Sequence, residues 1–333
     1  MSLTNFSAID LSQFPTPDLI EPLSFEDIKR AIVEDYQQRF PDAQLNYVSD
    51  PVIKLIETFA YRELLIRQRI NEGAEAVLLA KASGEELDFL GQRFGVTRAV
   101  LASQPTDEAE GKLIKESDER FRTRIKLALE GFSTAGPTGA YAYHCFKASS
   151  HIQDVFIEAP EFVMQLPPDE LVGSLPAGTM LLQNTYDAGL EQPVPGDVAI
   201  TLLSDETDGT PSEQVLATVL AALNQDDVRP LTDRINLLKP AIKTFTIKAK
   251  LHLYPGFNSD DVYQAVYAEC ENWLKQRQKF GHDISLSGLY AVLHGAGVQR
   301  VELQSPSADI FVADKEVAHC QSIEIGVEAQ RDV

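Results

Sequence analysis

The glycine-rich run GFSTAGPTGAY, Gly131 to Tyr141, comes nearest in composition to a phosphate-binding loop. Such a loop cradles phosphate oxygens with backbone N–H groups, but it needs a lysine and a hydroxyl residue directly after its last glycine. Ala140 and Tyr141 stand there instead. No obvious strand leads into the run, as a dinucleotide fingerprint requires, so it reads as a turn and a helix start. The acidic run SDETDGT, Ser204 to Thr210, suits calcium only if a bidentate carboxylate closes the loop. With Gly209 at the obligatory glycine position that place falls on Val215, and the run reads as a solvated turn. None of the six histidines forms an HExxH or HxxxH pair. His144 adjoins Cys145, but neighbours on a helix point apart, and Cys270 and His282 lack the second pair that zinc needs. No GxSxG elbow occurs, and nothing among the many acids selects a catalytic pair. The expectation is a chain without a catalytic, cofactor or metal site, and not an enzyme.

Composition narrows the partners. The 29 Lys and Arg against 50 Asp and Glu give a formal charge of -21, which repels phosphate backbones and anionic lipid. Sequence-nonspecific nucleic-acid binding depends on basic charge releasing counterions, so it is not expected. Tyr141, Tyr143 and Phe146 lie at helical spacing and read as core rather than as a base-stacking platform. Three cysteines without a CxxC pair fit a reducing cytoplasm. No basic and apolar secretory signal opens the chain, and no stretch approaches the ~20 apolar residues of a membrane span. Membrane insertion is not expected.

The elements that would position any site begin with a long helical pattern from Asp50 to Ala80. At ~100° per residue, Leu55, Phe59, Ile66, Ile70 and Val77 share one stripe, spaced alternately four and seven apart as in a helix-packing seam. Ile53, Ile56, Ala60, Leu64, Ala74 and Leu78 form a second stripe beside it. Lys54, Glu57, Arg62, Arg69, Glu72 and Glu75 occupy the far side. The apolar arc covers roughly half the circumference, wider than the ~100° that a surface helix needs. Two neighbours are the economical reading, and the same arc also suits a helix sunk in its own core. Gly84 is a plausible stop for this helix. A shorter helix with Leu87, Leu90 and Phe94 follows, ending at Gly95.

Elsewhere the chain is punctuated into small units. Residues 1–22 read as an extended arm, and Ser24 caps a helix through Phe40. Residues 23–98 are a helical assembly region, and the polar stretch from Ala99 to Gly111 reads as a linker. Residues 112–240 read as a middle α+β domain: an arginine-rich helix, DERFRTRIKLALEGF; a helix from Ala140 to Ala148; strands in HIQDVFIEAP and GDVAITLLS; and a helix from Pro211 to Asn224. Pro160 to Pro195 is irregular loop or short hairpin. Residues 241–333 form a second α+β domain. Its clearest strand has Phe245, Ile247, Ala249, Leu251 and Leu253 alternating with polar residues. Helices from Ser259 to about Lys279 and from Ser285 to His294 cover one face of its sheet, and Val298 to Leu303 and Ser322 to Val327 are further strands. The fold class is α+β, a helical N-terminal region followed by two small α+β domains.

KASGEELDFLGQRFGVTR, Lys81 to Arg98, carries Ala82, Gly84, Leu87, Asp88 and Leu90, then Gly95, Val96 and Arg98. This resembles the signature of the baseplate J-like family of contractile phage tails. Further matches keep the family's order: Arg120 to Ile125 before Gly136 to Tyr141, the strand at Val155 to Ile157, Arg229 and Pro230, Leu251 to Gly256, then Gly297, Val298, Val301 and Pro306. Together they span most of Leu23 to Val327. Thr232 and Asp233 stand where the family often has Gly and Asp, and Pro160 to Pro195 has no motif that aligns.

The resemblance implies a structural subunit of a baseplate wedge, in a phage tail or a tail-derived injection particle. It implies copies of the chain joining one another and a smaller wedge protein, and a six-fold ring around the central spike and hub with a lysozyme-like subunit nearby. Such a protein is made in the bacterial cytoplasm without a signal peptide and assembled into the tail. The stripe Leu55, Phe59, Ile66, Ile70 and Val77 is the expected assembly interface. Gly84, Leu87, Asp88, Gly95, Arg98, Arg229 and Pro230 are the signature positions. The competing readings are a tail-associated hydrolase using an acid pair and a peripheral receptor- or glycan-binding module.

Overall fold

In a computed structural model of the chain, the described residues are 22–42, 50–103, 113–132, 137–166, 174–176 and 179–329. The arm expected at residues 1–22 lies outside them except for Pro22. Two compact units divide the chain between Ile125 and Lys126.

The N-terminal unit is built on helices. Ser24 caps α1 (Phe25–Arg39), its Oγ accepting from Asp27 N at 3.3 Å, with Glu26 and Asp27 in the first turn where the helix dipole favours acids. Asp50 caps α2 (Pro51–Ala76), and Pro51 opens it where a missing N–H costs nothing. The helix stops well before Gly84. Leu78 O turns back to accept from the N–H groups of Lys81 and Ala82, and Gly84, at φ +54°, opens α3 (Gly84–Arg93). The apolar pattern continues past Ala76, but Arg122 donates to the carbonyls of Leu79 and Ala82 at 2.7 Å each, and these side-chain bonds stabilise the non-helical turn.

The stretch from Ala99 to Gly111, read as linker, contains β1 (Val100–Ser103), which pairs antiparallel with β2 (Leu113–Lys115). The arginine-rich helix is α4 (Asp118–Leu127), shorter than its pattern and followed by a 3-10 turn at Glu130–Phe132.

The second unit holds two sheets. The first comprises β3 (Ile152–Glu158), β6 (Asp197–Ser204) and β7 (Arg234–Leu238); β6 lies at its centre, antiparallel to β3 and parallel to β7. A parallel pair needs a crossover, supplied by α6 (Glu213–Leu223), which Ser212 caps. Sequence alone gives no strand around Arg234. The segment is short and carries a charge, and pairing with the buried β6 makes it one. Tyr141, Cys145 and Phe146 of α5 (Thr138–Ala148), with Val215, Val219 and Leu223 of α6, pack on Ile152, Val155, Ile200 and Leu202. Between β3 and β6 the chain makes a separate ribbon, β4 (Glu161–Gln165) and β5 (Leu181–Tyr186).

In the second sheet, β8 (Ala241–Leu253) lies between β9 (Val298–Ser305), antiparallel, and β10 (Glu316–Ala329), parallel. Its period of two holds. Phe245, Ile247, Ala249, Leu251 and Leu253 are buried under Val262, Val266 and Cys270 of α7 (Ser259–Arg277) and Leu289, Val292 and Leu293 of α8 (Leu286–Leu293). Asn258 caps α7, its side chain accepting from Asp260 N. On the opposite face Lys248 pairs with Glu324 at 3.0 Å and Lys250 with Glu328 at 3.3 Å.

The two sheets are joined by a core of their own, in which Phe156 and Leu203 meet Phe280 and Val317. Buried Asp154 accepts from Phe280 N at 3.1 Å, which satisfies a backbone donor inside the junction. The architecture is α+β.

Candidate assembly surface and signature clamp

The two stripes of α2 have different fates. α1 packs along the helix, with Ile28 buried, and Ile53, Ile56 and Ala60 are buried while Leu64, Ala74 and Leu78 are half-buried. Lys29 Nζ holds Glu57 at 2.8 Å. Leu55, Phe59, Ile66, Ile70 and Val77 remain open, from 52% exposed for Ile70 to 65% for Val77. Tyr61 and Leu65 are also exposed, but on the polar side of the helix. Fully burying a large apolar side chain stabilises by about 1.5–3 kcal/mol. Five that are already half-covered would then contribute roughly 4–8 kcal/mol, against an association cost of about 4–15 kcal/mol. One stripe against a polar surface is insufficient, and a second apolar surface facing it closes the gap.

The signature residues are gathered elsewhere, between α3 and α4. Arg98 is the centre. Its Nε donates to Asp88 Oδ1 at 2.5 Å, its Nη1 reaches Asp118 Oδ1 at 2.7 Å and Glu116 O at 2.9 Å, and its Nη2 reaches Gly84 O at 3.2 Å. The guanidinium lies 4.8 Å from the centre of the Phe121 ring. Gly84 N donates to Asp118 Oδ2 at 3.1 Å. Burial pushes the Asp118 carboxyl up, but the Gly84 N–H and Arg98 together hold it below its usual range. Leu87 is buried beneath, and Gly84 and Gly95 take positive φ, which glycine adopts without steric cost.

A residue that sequence reading missed completes the clamp. Glu116 is buried, and its carboxylate binds Arg124, Arg120 Nη1 at 2.5 Å and Ala99 N at 2.8 Å. Arginines four and eight residues after an acid were the available signal. Arg and Asp side chains fully engaged with each other and with backbone carbonyls make a structural clamp, which fixes α3, the turn after it and α4 as one piece. Packing is equally tight at Gly91, where an added Cβ would lie 2.5 Å from Phe121 Cζ and 2.8 Å from Val96 O. Gly91→Ala is therefore expected to destabilise the N-terminal unit by about 1–3 kcal/mol, read from its thermal transition.

Arg229 and Pro230 belong to the other unit, in the turn before β7. Arg229 Nη1 donates to Asp233 O at 3.2 Å, Asp233 N to Pro230 O at 3.1 Å, and the Tyr141 hydroxyl to Asp233 Oδ2 at 2.6 Å. Burial, then the Asp233 carboxylate, pushes the Tyr141 phenol well above its usual range, so it stays a donor. The turn is thus pinned to α5.

The other sequence candidates stay apart. Glu206 and Asp208 are engaged with Ser212 and Thr210 within their own turn. Among the described residues no cluster of three His, Cys, Asp or Glu could hold a metal, and no helix is long and apolar enough to cross a membrane. A pocket of about 210 Å³ between α7 and β10 has Glu271 as its one carboxylate, beside Lys275, His319 and Cys320, and so lacks the acid pair a glycosidase reading asks for.

Comparison with known proteins agrees with the signature. Residues 49–105 match the Baseplate J-like N-terminal domain, and residues 245–326 match the Baseplate J-like protein C-terminal domain. Baseplate protein J of Escherichia phage P2 is 37% identical over 322 residues, covering 94% of this chain and 95% of its own. A cryo-EM structure of the anti-feeding prophage baseplate, 6-fold symmetrised, is 12% identical, with 91% of this chain and 54% of that chain covered and a TM-score of 0.29. At that score the likeness says nothing about the fold. The near full-length similarity to the phage P2 protein decides the matter: the chain belongs to the baseplate J-like family.

Proposed function

We propose that the chain is a piece of a baseplate wedge in which further copies of itself and a smaller wedge protein cover the open stripe of α2. As a member of the baseplate J-like family it is a structural subunit of a baseplate. Wedges of this kind close into a six-fold ring around the central spike and hub, beside a lysozyme-like subunit. The observation that carries this reading is the stripe itself: Leu55, Phe59, Ile66 and Ile70 lie in line on one side of a 26-residue helix with Val77 just past its end, and all five are exposed, while Ile53, Ile56 and Ala60 of the neighbouring stripe are buried. A contiguous apolar surface of this kind marks an interaction site. A scaffold role asks for large surfaces and no reactive group, and the clamp under the signature has the engaged, closed character of a structural part.

Ile66→Cys, in a Cys320→Ser background that leaves only the buried Cys145 and Cys270, tests it by thiol labelling. The introduced thiol should react rapidly in the isolated chain and be protected in assembled particles. Equal reactivity in both would rule the stripe out as an interface.

A further inference from the structure

Gly73 lies in the open stripe of α2, and no neighbour among the described residues accounts for it. It comes eighteen residues after Leu55, about five helical turns, and so falls between Ile70 and Val77 on the same side. Inside a helix only proline is less favourable than glycine. At two other helical glycines a neighbour demands the small residue: an added Cβ would lie 2.5 Å from Phe121 Cζ at Gly91 and 2.8 Å from Trp273 Cζ2 at Gly288. At Gly73 it would meet nothing within 4 Å. The glycine leaves an exposed gap in the stripe, with exposed Ile70 and Val77 on either side of it.

The stripe has a repeat of its own. Leu55, Ile66 and Val77 are eleven residues apart, as are Phe59 and Ile70, so the apolar line advances at ~3.67 residues per turn and runs almost straight along the helix. A second helix can lie beside such a line. Arg62 and Arg69 border it on one side, at ~20° and ~40° from the direction of Leu55. Both are exposed, and neither has an ion-pair or hydrogen-bond partner among the described residues. On the other border Glu63 is held by Arg67, Nη2 to Oε1 at 2.6 Å.

We propose, on the assembly role assigned to this stripe, that a partner α-helix with an acidic flank lies along it and seats a large apolar side chain in the gap at Gly73. Ile70 and Val77 enclose that side chain as the walls of a hole enclose a knob. Carboxylates about two turns apart on the partner helix pair with Arg62 and Arg69, which are seven residues apart. Charge also separates the two occupants named above. Along its own stripe a second copy's α2 offers only Glu63, which Arg67 already holds, so self-pairing leaves the arginines unanswered. The helix therefore comes from a different protein, the smaller wedge protein of the reading above.

Titration of the smaller wedge protein with the full chain, beside calorimetry of the chain alone, tests this. Gly73→Ala should raise the thermal transition of the N-terminal unit by about 2–6 °C, because alanine suits the open helix better. The same methyl group partly fills the hole and should weaken partner binding about tenfold. Gly73→Leu should weaken it about a hundredfold without lowering the thermal transition. Arg62→Glu with Arg69→Glu should weaken it about tenfold, a loss that shrinks as salt is raised. Native-strength binding by the Gly73→Leu chain or by the double glutamate chain overturns the proposal. If Phe59→Asp with Ile66→Asp abolishes binding in that case, the stripe stays an interface and only the acid-flanked helix at Gly73 is lost. If that variant also binds normally, both readings fall. Glycine variants that change only the chain's association with itself overturn the choice of partner.

Discussion

Replacing Glu116 by alanine is expected to cost the N-terminal unit about 3–5 kcal/mol, the loss seen when one member of a buried ion network is removed. The carboxylate is wholly buried and answers two guanidiniums and a backbone N–H. Without it Arg124, itself buried, loses its counter-charge, and Ala99 N its acceptor. The penalty is that of leaving charge and donors unpaired in a place water does not reach. Against a typical domain stability of about 5–15 kcal/mol this is a large fraction. In calorimetry the transition of the N-terminal unit should fall by more than about 10 °C. Glu116→Gln keeps the shape and two hydrogen-bonding atoms and should lose less. A fall under about 2 °C for the alanine variant would mean that the network is not what holds α3 to α4.

Glu116 also shows where sequence reading stops. In the linear chain it is one acid among fifty, in a polar stretch between a weak strand and a helix. Only the fold brings Arg98, Arg120 and Arg124 around it. Arg98 and Asp88 were legible as signature positions through the resemblance, but nothing in their spacing said that they face each other. The stripes of α2 were legible from periodicity alone, because a 3.6-residue repeat leaves the same trace whether the surface is covered by this chain or another. Which stripe is covered depends on α1, a tertiary fact. The end of α2 was misplaced for a related reason: the apolar pattern continues through Leu79, while the helix is stopped by a turn that Arg122 secures from forty residues away in sequence. Phe245 to Leu253 of β8 was read from its strict alternation, which has no helical counterpart, while its first four residues, Ala241 to Thr244, owe their strand character to pairing with β10. β7 was missed, being five residues whose strand character comes from pairing with β6.

The second large effect concerns assembly. Phe59 and Ile66 are each more than half exposed, so aspartate at both positions leaves the isolated chain's core untouched, and its stability should change little. In an assembled wedge the same positions would be dry. Two carboxylates without partners there cost several kcal/mol, enough to weaken association by about a thousandfold or more. The contrast between an unaffected monomer and a lost complex separates an interface from a core, because core substitutions damage both together.

Sedimentation velocity of the full chain mixed with the smaller wedge protein reads this most directly. The native chain should move with its partner as one boundary at micromolar concentration. The Phe59→Asp, Ile66→Asp chain, with an unchanged thermal transition, should leave the partner as a separate boundary. A double variant that still carries the partner in a single boundary would contradict the assignment of α2's open stripe to assembly.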